Sequence, residues 1–226
     1  ADLPRGYAQV YLNSPLRQQE AEAAVMMVLW SDLYGLQQTA LINEASIAGM
    51  GLSLGLDEGL RLSISGFTDK QPALLTAALA GLRIDPDQQA LDQAIDRFVR
   101  GLENRKRELP FRQLGRTLSS LTRTGFYDEA SLLDAVAKVT TTRFNAFVER
   151  VLDSALVRVY LFGNYDEAFA NDLAKTLQSA LPEERAGATE YARERVYAPV
   201  PGQTLVKNTD LPVEDLGMML LYAAPE

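Results

Sequence analysis

Residues 51–75, GLSLGLDEGLRLSISGFTDKQPALL, give the clearest structural signals in the chain. From Leu60 to Ser65, leucine and isoleucine alternate with polar residues, which predicts an antiparallel strand with one buried face. The turn Asp57-Glu58-Gly59 joins this strand to an earlier one, Leu52 to Leu56, as a hairpin. A helix is predicted to follow over residues 70–82. The stretch therefore predicts a hairpin that leads directly into a helix.

Outside this stretch, helical patterns dominate and strands are few. The predicted order differs from the regular alternation of strand and helix in a doubly wound fold. It indicates an α+β fold, a two-layer sandwich in which a mainly antiparallel sheet is covered by helices. The other predicted elements are strands at Tyr7–Asn13, Val157–Phe162, Thr204–Lys207 and Gly217–Tyr222, and helices at 17–38, 40–48, 86–109, 112–121, 129–139, 143–152 and 166–181.

Polar residues before several of these helices predict their N-caps, because a side-chain oxygen there can accept a free backbone N–H group. The predicted caps are Thr68 or Asp69, Asp85 before Pro86, Asp128, and Thr141 or Thr142.

The sequence predicts a division of the chain after residue 182. Residues 183–194 are predicted to be a linker, because this region is rich in charged and small residues. About 30 residues with two or three strands, in 195–226, cannot make a sheet domain alone, so they either complete the first sheet or begin a second domain. An unpaired strand at Gly217–Tyr222 predicts a homodimer or an exchange of strands.

Composition excludes several kinds of chemistry from this chain. The 226 residues contain neither Cys nor His, so a thiolate nucleophile, an imidazole base and a Cys/His zinc site are all impossible here. The formal net charge of −8 argues against nucleic-acid binding. No apolar run approaches the roughly 20 residues of a membrane-spanning helix. We therefore predict no nucleic-acid partner and no membrane span.

One local charge pattern stands out, because residues 97–123 are basic within an acidic chain. One interpretation is a surface that faces an acidic partner domain or an anionic peptide. The other is a solvated face whose arginines pair with nearby acids. The basic residues are Arg97, Arg100, Arg105, Lys106, Arg107, Arg112, Arg116 and Arg123, against Glu103 and Glu108.

Other polar features are typical of turns and helix surfaces. Gly49-Met50-Gly51 lacks the third glycine and the lysine of a phosphate-binding loop. Asp92 and Asp96 lie one helical turn apart but have no His beside them. We therefore predict no catalytic, metal-binding or cofactor-binding residue in this chain, and the sequence does not identify substrate-binding residues.

The opening stretch resembles the third domain of the pitrilysin/insulysin (insulinase, inverzincin) family of zinc metallopeptidases. The resemblance rests on Gly66-Phe67, on Asp69-Lys70-Gln71-Pro72 and on the Leu74-Leu75 pair. It continues in order at Ala45–Met50, at Leu161-Phe162-Gly163-Asn164 with Glu167-Ala168, and at Asn208–Leu221, which is similar to the first strands of the fourth domain.

This resemblance implies that the chain belongs to the non-catalytic half of a larger enzyme. Members of the family have four homologous domains in two bowl-shaped halves, and the first domain carries the zinc ligands and the Glu that activates water. The fourth-domain Arg-Tyr pair that assists catalysis would lie beyond Glu226. We therefore expect an inert chamber wall, with the N-terminal catalytic half and peptide substrates as partners and zinc only in the parent protein.

Two alternatives remain open at this stage. One is the related peptidase of pyrroloquinoline quinone biosynthesis, which belongs to the same family. The other is a zinc-less family member that serves as a partner subunit or binds peptides without cutting them. Family members occur in the periplasm and in the cytosol, and either compartment is compatible with this sequence.

Overall fold

The computed structural model describes residues 4–181, 193–197, 200, 202–209 and 217–221. Four strands and nine helices are formed in these residues. The strands are β1 Arg5–Asn13, β2 Gly51–Leu56, β3 Gly59–Phe67 and β4 Leu156–Gly163. The helices are α1 Leu16–Gln19, α2 Ala21–Gln37, α3 Thr39–Ile47, α4 Gln71–Ala80, α5 Gln88–Arg105, α6 Pro110–Thr122, α7 Glu129–Val136, α8 Thr141–Ser154 and α9 Glu167–Ala180.

The four strands form one antiparallel sheet in the order β2-β3-β1-β4. Strand β1 lies inside the sheet, where Val10 is opposite Leu62 on one side and Val159 on the other. The alternating sequence of β1 places Ala8, Val10 and Leu12 on one face and Tyr7, Gln9 and Tyr11 on the other, and the structure buries the first of these faces. The predicted α+β fold with an antiparallel sheet and covering helices is confirmed.

Helix α2 lies at the centre of the helical layer. It packs against β2 and β3 and against α5, α7 and α8. Trp30 and Tyr34 are fully buried, and each donates a hydrogen bond to a backbone carbonyl, of Leu82 and Ala78 respectively. Helix α2 is buried on most sides because other elements enclose it, and a helix in such a position is apolar on most sides.

The start of α5 differs from the prediction by two residues. Asp87 is the N-cap, and its carboxylate accepts the Ala90 N–H group at 2.7 Å. Asp85, the predicted cap, instead accepts a hydrogen bond from the Asn145 side chain at 2.5 Å. Both aspartates flank Pro86, but only Asp87 caps the helix, whereas Asp85 is engaged by Asn145 of α8. Helix α5 also ends at Arg105, four residues before the predicted end.

Two further caps are corrected, and one is confirmed. Thr140, not Thr141 or Thr142, accepts the Arg143 N–H group and caps α8. Helix α4 begins after Lys70 without a side-chain cap, so neither Thr68 nor Asp69 acts as one. Asp128 caps α7 as predicted, by accepting the Ser131 N–H group at 2.8 Å.

The two strands predicted near the C-terminus are not formed in the described residues. Residues 204–207 and 217–221 have irregular backbone, and Tyr222 lies outside the described residues. A strand needs a neighbour to satisfy its backbone groups, and neither segment is among the paired strands of the sheet. The linker at residues 183–194 stays a prediction, since most of it lies outside the described residues.

A buried glutamine, Gln71, ties one end of the sheet to the first residue of α4. Its amide donates hydrogen bonds to the carbonyls of Gly6 at 2.9 Å and Gly66 at 3.2 Å. Its side-chain oxygen accepts the Tyr165 hydroxyl at 2.7 Å. This group of contacts, the Gln71 bridge, joins β1, β3 and the segment after β4.

Glycine permits the close approach around the Gln71 bridge. Gly6 is opposite Gly66 on one side and Gly163 on the other, so three glycines form a row across three strands. A Cβ atom on Gly6 would collide with the Tyr165 ring. Gly66 has a φ of +118°, which side-chain-bearing residues rarely adopt.

We predict that Gln71→Ala lowers the free energy of unfolding by about 2–4 kcal/mol, because it removes three partly buried hydrogen bonds and leaves their partners unsatisfied. Urea denaturation would measure this loss. Gln89→Ala is the matched control, since Gln89 is exposed on α5 and the same change should alter stability by less than about 0.5 kcal/mol. Equal losses in the two variants would contradict the role assigned to Gln71.

The second prediction concerns alkaline pH. Burial raises the pKa of Tyr34 to about 12, so the unfolded chain releases this proton near pH 10 while the folded chain retains it. The contribution of Tyr34 to the free energy of unfolding should therefore be fully present below pH 10. It should fall by about 1.4 kcal/mol per pH unit as the pH rises toward 12. Urea denaturation between pH 9 and about 11.5 should show a steeper loss for the wild type than for Tyr34→Phe. Parallel curves would exclude Tyr34 as the source.

Candidate functional site

The sheet has a second face whose aromatic side chains reach solvent. Because side chains alternate along each strand, this open face is formed by the residues between the buried ones. Tyr160 and Phe162 of β4 are 56% and 82% exposed, which is unusual for side chains of this size. The open face is defined by Tyr7, Gln9, Tyr11, Arg61, Ser63, Ser65, Arg158, Tyr160 and Phe162, with Gly51, Ser53 and Gly55 at the β2 edge.

Hydrogen bonds order the aromatic part of this face. The Gln9 amide donates to the Tyr7 hydroxyl at 2.9 Å, and the Tyr11 hydroxyl donates to the Gln9 side-chain oxygen at 3.0 Å. Tyr11 and Tyr160 meet edge to face, with ring centroids 5.4 Å apart. These contacts hold the rings of Tyr7, Tyr11 and Tyr160 in place without a ligand, which reduces the entropy lost on binding.

The two halves of the open face differ in height and chemistry. Strands β1 and β4 contribute large aromatic rings, whereas β2 and β3 contribute mainly serine and glycine. A low row of hydroxyl groups thus lies beside an aromatic ridge. Such a surface can contact apolar side chains on one side and hydrogen-bond polar groups on the other.

The described residues contain no group of side chains that could bind a zinc ion. The sequence has no His, and no cluster of three or more acidic side chains in the described part could hold a metal ion. The residues present therefore do not fit the zinc motif of the family that the sequence resembles. We derive no catalytic step from this chain.

Three arginines of the basic stretch pair with acids. Arg97 binds Asp32 at 2.7 Å, Arg116 binds Glu108 at 2.6 Å, and Arg123 pairs with Glu194. The Arg116 hydrogen bond lowers the pKa of Glu108, and the positive charges of Arg116, Arg112 and Arg105 add to this effect. These pairs agree with the interpretation of a solvated face for part of the stretch. Its proposed role toward an acidic partner is not tested by them.

Comparison with known families identifies the fold. Residues 2–135 match the family model described as the middle or third domain of peptidase M16, which covers more than half of the chain. The chain belongs to the peptidase M16 family. This confirms the resemblance to the pitrilysin and insulysin proteins, and it places the quoted hairpin and helix within the M16 middle domain.

Relatives of this M16 domain are much longer proteins. Protease 3 of Escherichia coli (strain K12) is 24% identical over 196 residues, which are 86% of this chain and 20% of that protein. Insulin-degrading enzyme of Drosophila melanogaster is 27% identical over 187 residues, or 80% of this chain and 18% of that protein. A Schizosaccharomyces pombe protein with zinc protease in its name is 24% identical over 220 residues, or 95% of this chain and 23% of that protein. The chain spans about a fifth of the length of these curated relatives.

Solved structures support the same fold. The crystal structure of pitrilysin matches with a TM-score of 0.75 and 24% identity, over 84% of this chain and 20% of that chain. A peptidase M16 inactive domain from Pseudomonas fluorescens matches with a TM-score of 0.64 and 15% identity, over 83% of this chain and 48% of that chain. Among the described residues, no helix has both the length and the hydropathy required to span a membrane.

Sequence reasoning did not identify the open face as a site. It did place Tyr7, Gln9 and Tyr11 together on one side of the first strand, because the alternation within a single strand predicts which residues share a face. The pairing of β1 with β4 brings Tyr160 and Phe162 beside them, and this pairing is not evident from either strand alone.

Proposed function

We propose that this M16 domain is a non-catalytic part of a larger zinc metalloendopeptidase, in which it forms part of the wall of a peptide-enclosing chamber. The match to the middle or third domain of the family supports this assignment. So does the small share of its relatives' length that the chain spans. The zinc ligands and the Glu that activates water would then belong to the N-terminal half of the parent protein.

The observation that carries the proposal is the open face. A sheet covered by helices on both faces would be only a structural core, whereas this sheet presents ordered rings and hydroxyl groups to solvent. Extended peptides match this chemistry, because their apolar side chains can contact the aromatic ridge while their backbone groups hydrogen-bond to the serines. We assign the open face to the inner surface of the chamber.

A zinc-less partner subunit is the second candidate. The solved M16 inactive domain from Pseudomonas fluorescens shares the fold and supports the existence of chains of this type without catalytic function. Under this interpretation the same open face would hold peptides for another protein. The two candidates agree on peptide contact and differ on whether the parent cuts what it binds.

We predict that peptide contact depends on the exposed rings of β4. A fluorescently labelled, unstructured peptide with Leu and Phe at alternate positions should bind the chain. The double variant Tyr160→Ala/Phe162→Ala should weaken its binding about tenfold, because each aromatic contact contributes roughly 0.5–1.5 kcal/mol. Fluorescence anisotropy would measure the affinity.

Phe111→Ala provides the matched control for this experiment. Phe111 on α6 is 58% exposed, close to the 56% of Tyr160, but it does not belong to the open face. The control should leave the affinity unchanged, and both variants should keep the wild-type unfolding midpoint within a few degrees. Equal binding by all three proteins would contradict the assignment of the open face.

We also predict that the chain alone neither binds zinc tightly nor cleaves peptides, whereas the longer parent does both. Metal analysis by mass spectrometry and a quenched-peptide cleavage assay, run in parallel on the chain and the parent, would test this. An inert and zinc-free parent would overturn the peptidase proposal in favour of the partner subunit. Peptidase activity of the chain itself would contradict both.

A further inference from the structure

Helix α6 has an apolar side that its own domain does not use. Four apolar residues recur at helical spacing along its 13 residues, so they lie on one side of the helix. Phe111 and Leu121 are 58% and 51% exposed. The apolar side of α6 is defined by Phe111, Leu114, Leu118 and Leu121.

The hydrophobic core of the described residues contains no residue of α6, and no apolar side chain of α6 packs against it. The one buried residue of the helix is Gln113, whose amide donates to the backbone carbonyls of Lys106 and Glu108 at 3.1 and 2.6 Å. These hydrogen bonds fix the turn before α6. The leucines of α6 make no contact with the hydrophobic core of the described part. A helix of this kind requires a partner outside the domain.

Residues beyond the sheet domain reach the C-terminal end of α6. The Thr124 N–H group donates to the Arg195 carbonyl at 2.9 Å, and the Arg195 N–H group donates to the Thr124 hydroxyl at 2.8 Å. Arg123 pairs with both carboxylate oxygens of Glu194. The chain that follows the sheet domain is thus bonded to the end of α6 by both backbone and side chains.

A second segment of the same region reaches the other end of the helix. A Cβ atom on Gly217 would lie 2.9 Å from the Leu114 side chain and 3.3 Å from that of Pro110, so the backbone at this position touches α6. The Met219 methyl group lies beside Gly115, and Met219 is 42% exposed where its neighbour Met218 is 81% exposed. One side of residues 217–221 therefore faces the apolar side of α6.

We propose that α6 is a docking helix for the domain that follows in the same polypeptide, and that Gly217–Leu221 is the leading segment that occupies its apolar side. Two observations favour this occupant over a separate protein. The segment is apolar throughout, and the region that contains it is already bonded to α6 at residues 194–197. The inference rests on the proposed place of the chain within a larger protein, but it does not depend on peptide contact at the open face.

The test compares Leu118→Asp with Ser120→Asp in the full 226-residue chain. Both variants add one negative charge to α6, but the two positions lie about 200° apart around the helix. Leu118→Asp should accelerate amide hydrogen exchange in residues 217–221 by roughly tenfold or more, because it places a charge on the apolar side of α6 that these residues face. It should leave exchange in β1 and the unfolding midpoint unchanged, and Ser120→Asp should change none of these.

Gly217→Val tests the same contact from the other side, since its added side chain would collide with Leu114 while α6 stays intact. It should accelerate exchange in residues 217–221 in the same way. Unchanged exchange in both variants would overturn the proposal. A large fall in the unfolding midpoint with Leu118→Asp would also overturn it, because α6 would then belong to the core of the sheet domain.

Light scattering over a range of protein concentrations would show whether the apolar side of α6 is occupied by the same chain or by a second copy. A monomer at all concentrations, together with the exchange results above, supports docking within one chain. A concentration-dependent dimer that Leu118→Asp abolishes would show that a second copy occupies the apolar side, which contradicts the proposed occupant. Peptide binding at the open face should be the same in all these variants, so a failure here is distinguishable from a failure of the proposed function.

Discussion

The arrangement of the sheet relative to helix α4 depends on the Gln71 bridge. One side chain satisfies two backbone carbonyls and a tyrosine hydroxyl, and so it fixes β1, β3 and the end of β4 relative to α4. Glycine permits this arrangement, because a Cβ atom on Gly6 would collide with the Tyr165 ring and one on Gly163 would collide with the Gly6 backbone. The Gln71 bridge explains the glutamine of the Asp-Lys-Gln-Pro motif in physical terms. Gln71 begins α4 at a position from which its side-chain amide reaches the backbone carbonyls of Gly6 and Gly66.

Most of the local structure was predictable because it depends on neighbours in the sequence. The β2–β3 hairpin, the alternation in β1 and the Asp128 cap all follow from short patterns. The errors have long-range causes. Both Asp85 and Asp87 flank Pro86, but Asp85 is hydrogen-bonded to Asn145, 60 residues away, whereas Asp87 caps the helix. The enclosure of α2 also depends on elements far along the chain.

The candidate site was less predictable than the fold for the same reason. The Gln71 bridge spans 65 residues to Gly6 and 94 to Tyr165, so no window of sequence contains it. The open face combines rings from β1 and β4, whose pairing follows from the fold as a whole. Family resemblance supplied the functional class, whereas the surfaces that serve it became visible only when distant strands were placed side by side.

The position of β1 inside the sheet has a consequence for the order of events during synthesis. This strand is synthesised before the other three strands of the sheet, but its partner β4 follows about 150 residues later, which at translation rates of roughly 5–20 residues per second is a delay of about 8–30 seconds. Only β2 and β3 are available early, so a three-stranded intermediate has to persist with one edge of β1 unpaired. Nascent chains of this domain are therefore exposed to mispairing at β1 until β4 arrives, and molecular chaperones that bind exposed strands would find their target there.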